Sequence, residues 1–228
     1  MANKAVKEFR CTDGDTEYRV DETTGKRTLT GYAAVFDDGT DKTQYRYFGI
    51  TETIQRGAFS RALRDRQDVR ALFNHESASL LGRISSGTLR LSEDNKGLRY
   101  EIDLPDTTLG RDLEQLIQRR DLSGSSFGFR VKSEKWERTG NKDEDKYKRS
   151  ILDVDLIDVG PVTFPAYTGT QSQMRSEDIE SLTAQAEAAI SEAEAAGRSD
   201  EEKNAESAKA EIDALLLRGK ASKIKLQL

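Results

Sequence analysis

One cysteine, one histidine, one tryptophan and three prolines are all that 228 residues contain of these types. A single cysteine, Cys11, excludes an internal disulfide and any multi-cysteine metal site. A single histidine, His75, excludes every metal site that needs two imidazoles, the His-Glu-x-x-His type included. Any mechanism with an imidazole base must therefore use His75. No run approaches the roughly 18 apolar residues of a membrane helix, and the opening MANKAVKEFRC lacks the apolar core of a secretory signal. The expectation is a soluble protein of a reducing compartment, the cytoplasm, with no membrane partner. Positive charge is not in excess either. Lys and Arg number 36 against 41 Asp and Glu, a net charge of −5. Such a balance does not coat nucleic acid, and Arg61, Arg64, Arg66 and Arg70 are interleaved with acids rather than gathered into a stripe. No cofactor or metal is expected.

What is present divides into two zones. Residues 1–168 hold nearly all the glycine, all the proline and most of the aromatics. Beyond about residue 176 the chain is rich in Ala, Glu, Ser and Lys. The reading is an N-terminal arm over 1–26, a folded domain over 27–168 and a polar helical tail over 169–228. With 34% charged and 35% hydrophobic residues, part of the chain stays outside any core. In the tail Ile179, Leu182, Ala186 and Ile190 recur at spacings of three and four, a thin helical stripe. Gly197 breaks it, and Ser199 or Asp200 is placed to cap a second helix running toward Leu215-Leu216-Leu217.

The first zone reads as mainly β. Strands are predicted over 27–36, 48–54, 69–75, 98–104, 126–132 and 149–159. Segments 80–84 and 87–91 are expected to pair around Ser85-Ser86. A short helix opens at Gly57-Ala58-Phe59. A second starts at Thr107 or Thr108 and carries Leu109, Leu113, Leu116 and Ile117. Residues 136–146 read as a solvated hairpin tip. This pattern predicts an α+β barrel or sandwich.

Three polar residues stand where a structural reading expects apolar ones. His75 shares the strand parity of Val69, Ala71 and Phe73. Ser126 opens the face opposite Phe127, Phe129 and Val131, between Gly124 and Gly128. Asp158 falls on the apolar parity of Leu152, Val154 and Leu156, provided no bulge intervenes. A carboxylate turned inward needs a partner to offset its desolvation, and an imidazole is one. Serine, histidine and a buried acid make an acyl-transfer triad, in which histidine removes the serine proton and the acid fixes the histidine tautomer. Each residue also has a plain reading: a satisfied core histidine, a serine-rich turn, an aspartate capping a turn before Pro161. The Gly-x-Ser-x-Gly elbow is absent.

Several segments taken in order carry a resemblance. Gly31-Tyr32-Ala33-Ala34-Val35-Phe36, Glu52 to Phe59, Ala71-Leu72-Phe73-Asn74-His75-Glu76 with Leu81-Gly82, Gly97-Leu98 and Asp106-Thr107 come first. Ser125-Ser126-Phe127-Gly128-Phe129 and Asp158 through Tyr167 complete the series. The set resembles the phage prohead proteases of the HK97 type over residues 31–167. The resemblance implies a serine peptidase similar in fold to the herpesvirus assembly proteases: a closed, mainly antiparallel β-barrel surrounded by helices. It implies cleavage of the scaffolding segment of the major capsid protein, or of a separate scaffold, inside the immature capsid of a phage in its host's cytoplasm. The family histidine follows Leu-x-x-His and matches His75. The family serine precedes Phe-Gly-Phe and matches Ser126 rather than Ser125. The herpesvirus relatives use a second histidine as third member; this chain has none, which leaves Asp158, with Glu76 and Asp153 behind it. The family pattern often has Glu-Val-Ser where this chain has Asp158, Val159 and Gly160. The oxyanion donors are expected near Ser126, the loop from Val162 to Ala166 being one source. The tail is read either as a solvated helix pair with weak self-association or as a self-cleaved targeting segment. Two rivals remain at this point: a non-enzymatic capsid-assembly or scaffold protein, and a β-barrel binding module with a core histidine.

Overall fold

The computed structural model describes residues 6–12, 16–140, 145–165 and 180–197. The chain divides into two units, Met1–Ile179 and Glu180–Leu228. The described part of the first unit has eleven strands and two α-helices. In chain order these are β1 (Glu8–Thr12), β2 (Glu17–Val20), β3 (Arg27–Val35), β4 (Gln44–Tyr47), β5 (Ile50–Ile54), α1 (Ser60–Arg64) and β6 (Arg70–Leu72). There follow β7 (Leu80–Arg83), β8 (Leu89–Glu93), β9 (Gly97–Asp103), α2 (Thr108–Gln118), β10 (Gly124–Arg138) and β11 (Tyr147–Val162). Thr107 caps α2, its hydroxyl accepting from the Gly110 N–H at 3.2 Å, and Leu113 and Ile117 are the buried members of its stripe.

The α+β class holds; the closed barrel does not appear among the described residues. Two sheets face each other instead. One runs β1-β10-β11-β5-β4, with β6 also paired to β11 and β7 to β6; the other runs β2-β3-β9-β8. The reason lies at Ser85-Ser86. The pairing expected there between 80–84 and 87–91 is absent: β7 pairs with β6 and β8 with β9, so that turn carries the chain from one sheet to the other. The Ile84 N–H donates to the Val69 carbonyl, which turns this segment toward β6 rather than β8. Leu29 and Ala33 of β3, Tyr100 and Ile102 of β9, and Phe127 and Phe129 of β10 share one core. Within it Phe127 stacks on Phe129 at 4.7 Å and meets Phe59 edge-on at 5.4 Å.

The long hairpin β10–β11 organises the site. β11 changes partner along its length, parallel to β5 over Tyr147–Ile151 and to β6 at Asp158 and Val159. The hairpin extends past the predicted solvated tip, since Trp136 is buried and sits opposite Arg149. Three register shifts interrupt it, one that leaves Lys132 extra on β10 and two on β11. The register passes from Glu134↔Ile151 to Ser133↔Asp153, and from Phe129↔Leu156 to Gly128↔Asp158, so Leu152 and Ile157 are the extra residues on β11. The predicted parity of β11 fails for this reason. Leu152 is 41% exposed while Ile151 is buried. After Ile157 the alternation flips: Val159 joins the core and Asp158 turns to the outer face.

The predicted 1–26 arm supplies β1 and β2, one to each sheet. In the second unit residues 180–197 are helical, α3; Gly197 is the last described residue, and the break predicted after it lies outside the described residues. Ala186 and Ile190 of its stripe are buried. Ile179 and the second tail helix lie outside the described residues. No described helix is long and apolar enough to cross a membrane.

Candidate active site

Ser126 sits on β10 with its side chain away from the core, flanked in register by Cys11 on β1 and Gly160 on β11. Its neighbour Ser125 faces inward, bonded to the Tyr100 hydroxyl at 2.7 Å. Asp158 lies opposite Gly128 on the same outer face. His75 arrives by a different route than its predicted strand parity. β6 stops at Leu72, and Asn74 and His75 both take left-handed backbone, φ 53° and 60°. Left-handed histidine is uncommon and persists where its surroundings fix it. Asn74 supplies the fixing. Its N–H donates to the Pro161 carbonyl at 3.1 Å and its Nδ2 to Thr163 Oγ1 at 3.0 Å, while the Thr163 N–H donates back to Asn74 Oδ1 at 2.8 Å.

The three predicted residues meet. His75 Nε2 lies 2.6 Å from Ser126 Oγ, and His75 Nδ1 is hydrogen-bonded to Asp158 Oδ1. Asp158 is 1% exposed. Burial pushes its carboxyl up, but the hydrogen bonds from His75 and Lys7 outweigh that and hold it below the usual aspartate value. An ionised Asp158 requires Nδ1 to carry the proton, which leaves Nε2 as the acceptor that serine needs. Of the lesser candidates, Asp153 pairs with Arg61 at 2.8 Å, and Glu76 makes no hydrogen bond or ion pair with the triad.

Sequence reasoning missed what β1 contributes. Lys7, just before the strand, reaches Asp158 Oδ2 at 2.7 Å. Phe9 lays its ring 4.3 Å from that of His75. The Arg10 carbonyl lies 2.9 Å from Ser126 Oγ. The hydroxyl proton thus has two acceptors, this carbonyl and the imidazole. Cys11 hydrogen-bonds Ser126, and burial pushes its thiol up, so it stays protonated near neutral pH and is no rival nucleophile. Gly128 makes room for this assembly: a Cβ there would stand 2.8 Å from Asp158 Oδ2 and 2.9 Å from Lys7 Cε. No composition or period in the arm singled out Lys7. Of the expected oxyanion donors, the Thr163 N–H is taken by Asn74 and Pro165 has none.

Gly160, where the family pattern often has serine, has φ 155°, and a Cβ there would lie 2.1 Å from the Leu72 carbonyl oxygen. Gly160→Ala should destabilise by about 1–3 kcal/mol through this overlap, lowering Tm by roughly 3–10 °C in thermal unfolding.

A serine, an imidazole and an ionised carboxylate in line define the constellation of a serine hydrolase. Residues 15–185 match the family described as caudovirus prohead serine protease. The chain belongs to that family; it is a serine endopeptidase of phage capsid maturation, and a purely non-enzymatic scaffold role is not favoured. It is also similar to the capsid assembly protease gp21 of bacteriophage T4, at 10% identity and TM-score 0.47 over 70% of this chain and 99% of the other. No curated protein matches.

Proposed function

We propose that Ser126, His75 and Asp158 are the nucleophile, base and orienting acid of this protease. The observation that carries the reading is the continuous line from Asp158 Oδ1 through both ring nitrogens of His75 to Ser126 Oγ. Ser126 Oγ attacks the peptide carbonyl as His75 Nε2 takes its proton. His75⁺, held by Asp158, then gives that proton to the leaving amine as the C–N bond breaks and the acyl-enzyme forms. A water, deprotonated by the same Nε2, hydrolyses the ester and returns the proton to Ser126. Developing charge on the carbonyl oxygen calls for N–H donors beside Ser126.

The substrate proposed is the major capsid protein, cut at its scaffolding segment within the prohead. Family membership supports this, because the prohead confines protease and capsid protein together. The helical tail is a candidate for self-cleavage or weak self-association. The test is to incubate the purified full chain with capsid protein bearing its scaffolding segment and to map products by mass spectrometry. Capsid protein shortened by that segment is the expected result. Capsid protein left intact, in a preparation that cleaves another polypeptide, would overturn the substrate assignment. Loss of mass from residues 169–228 in wild type but not in Ser126→Ala would identify self-processing.

A further inference from the structure

We infer that Lys7 is a positioning residue of the protease: from outside the matched family domain it holds the second carboxylate oxygen of Asp158 and sets the pH at which His75 works as a base. The inference rests on the triad reading above. The family match begins at residue 15, yet the segment before it, Lys7 with β1, touches every member of the triad. Lys7 Nζ donates to Asp158 Oδ2 at 2.7 Å, Phe9 packs on the His75 ring, and the Arg10 carbonyl meets Ser126 Oγ. The same Phe9 ring carries the Lys7 ammonium 4.5 Å from its centroid, which fixes the cation beside the pair.

Asp158 Oδ1 is engaged by His75, so Oδ2 must find its own donor. With one oxygen on the imidazole and one on an ammonium, the carboxylate cannot rotate without breaking a charge-assisted bond. The ammonium also opposes a positive charge on the ring beyond Asp158. Removing that ammonium should therefore ease the arrival of a proton on the ring, which is the effect the experiment below reads. The lowered Asp158 carboxyl agrees with this geometry.

The other groups around the pair leave this role to Lys7. From β1, Cys11 faces Ser126 as a protonated thiol. From β6, Arg70 stands in register with Asp158 but turns to Asp68. From the turn, Glu76 follows His75 without bonding the triad. From β10 and the segment after β11, Ser126 and Thr163 bring only hydroxyls.

The experiment compares the full-length wild type with Lys7→Met and Lys7→Arg. The methionine keeps the stem over Phe9 and removes the charge; the arginine keeps both. Two readouts are taken: kcat/KM against pH, and the proton NMR titration of His75, whose signal is unambiguous because the chain has one histidine. In Lys7→Met both the acid limb and the NMR midpoint should move to higher pH by about half a unit to one unit, a modest shift because Lys7 is partly solvated. kcat/KM should fall about 3- to 10-fold below the limb and stay near wild type above it, with Lys7→Arg restoring the wild-type profile. A purely structural role would lower activity evenly across pH. An NMR midpoint in Lys7→Met within a tenth of a unit of wild type, or moved to lower pH, would overturn the inference. That readout needs no turnover, so it fails or holds separately from the triad assignment, which Ser126→Ala tests by activity.

Discussion

Ser126→Ala should lose about 10⁴- to 10⁶-fold in kcat/KM against the capsid substrate while remaining folded. Among the described residues, this hydroxyl is the nucleophile placed on His75 Nε2, at 2.6 Å. The nearest thiol, Cys11, is held protonated by its burial. The structural cost is small, because the hydroxyl's other bonds go to the Arg10 carbonyl and the Cys11 thiol, and such a bond is worth about 1 kcal/mol. His75→Ala should lose a similar factor, and the double variant should be no worse than either, since the two residues act as one unit. Asp158→Asn should lose somewhat less, about 10³- to 10⁴-fold: an amide turned to Nδ1 as a donor selects the wrong tautomer. Initial rates by mass spectrometry, with circular dichroism as the folding control, decide the matter. A Ser126→Ala enzyme retaining even a tenth of wild-type kcat/KM would require a different nucleophile.

The three residues proposed as the triad stood out as candidates in the sequence because each violates the pattern of its own segment. A serine between two glycines, ahead of Phe127 and Phe129, is a poor choice for packing. An aspartate in the apolar run of β11 carries a desolvation cost that needs a reason. How they meet was not legible. The parity argument for His75 singled out a residue that the structure does place beside Ser126, but by another route, because a left-handed pair at Asn74 and His75 replaces the strand. The parity argument for Asp158 depended on an unbroken alternation, and the Ile157 bulge breaks it. Bulges are set by pairing across the hairpin, and a single strand's hydrophobic pattern holds no record of its partner. The barrel expectation failed likewise at Ser85-Ser86, where a turn looks the same in sequence whether it joins two paired strands or two sheets. Lys7 escaped notice because its partner lies 151 residues away, and a lone lysine in a polar arm reads as solvated.

The opposite face of β1 should yield the largest stability effect. Lys7, Phe9 and Cys11 turn to the triad, while Glu8 and Arg10 turn into a buried charge cluster. Arg10 grips Glu52 through Nε at 2.5 Å and Nη2 at 2.7 Å. Arg149 reaches Glu52 at 2.8 Å, Glu8 at 2.7 Å and Glu134 at 2.7 Å, and the Tyr47 hydroxyl donates to Glu52 at 2.7 Å. Glu52 has no exposed surface. Burial pushes its carboxyl up, but Arg10 and Arg149 prevail and bring it down to about 2. Glu52→Gln leaves two buried guanidinium groups short of an anion, and breaking such a cluster from one side costs about 3–5 kcal/mol. The expected Tm loss near pH 7 is roughly 6–20 °C. A depressed carboxyl contributes stability that is complete above the ordinary glutamate range and lost as the pH falls toward 2. The gap between wild type and Glu52→Gln should therefore be widest near neutral pH and narrow steadily below about pH 4.5. Because Arg10 anchors the strand that carries Lys7 and Phe9, loosening it should also blunt activity well below the melting transition. A Glu52→Gln protein with wild-type Tm at pH 7 would show that the cluster is dispensable and that β1 is held against Ser126 by its backbone ladder alone.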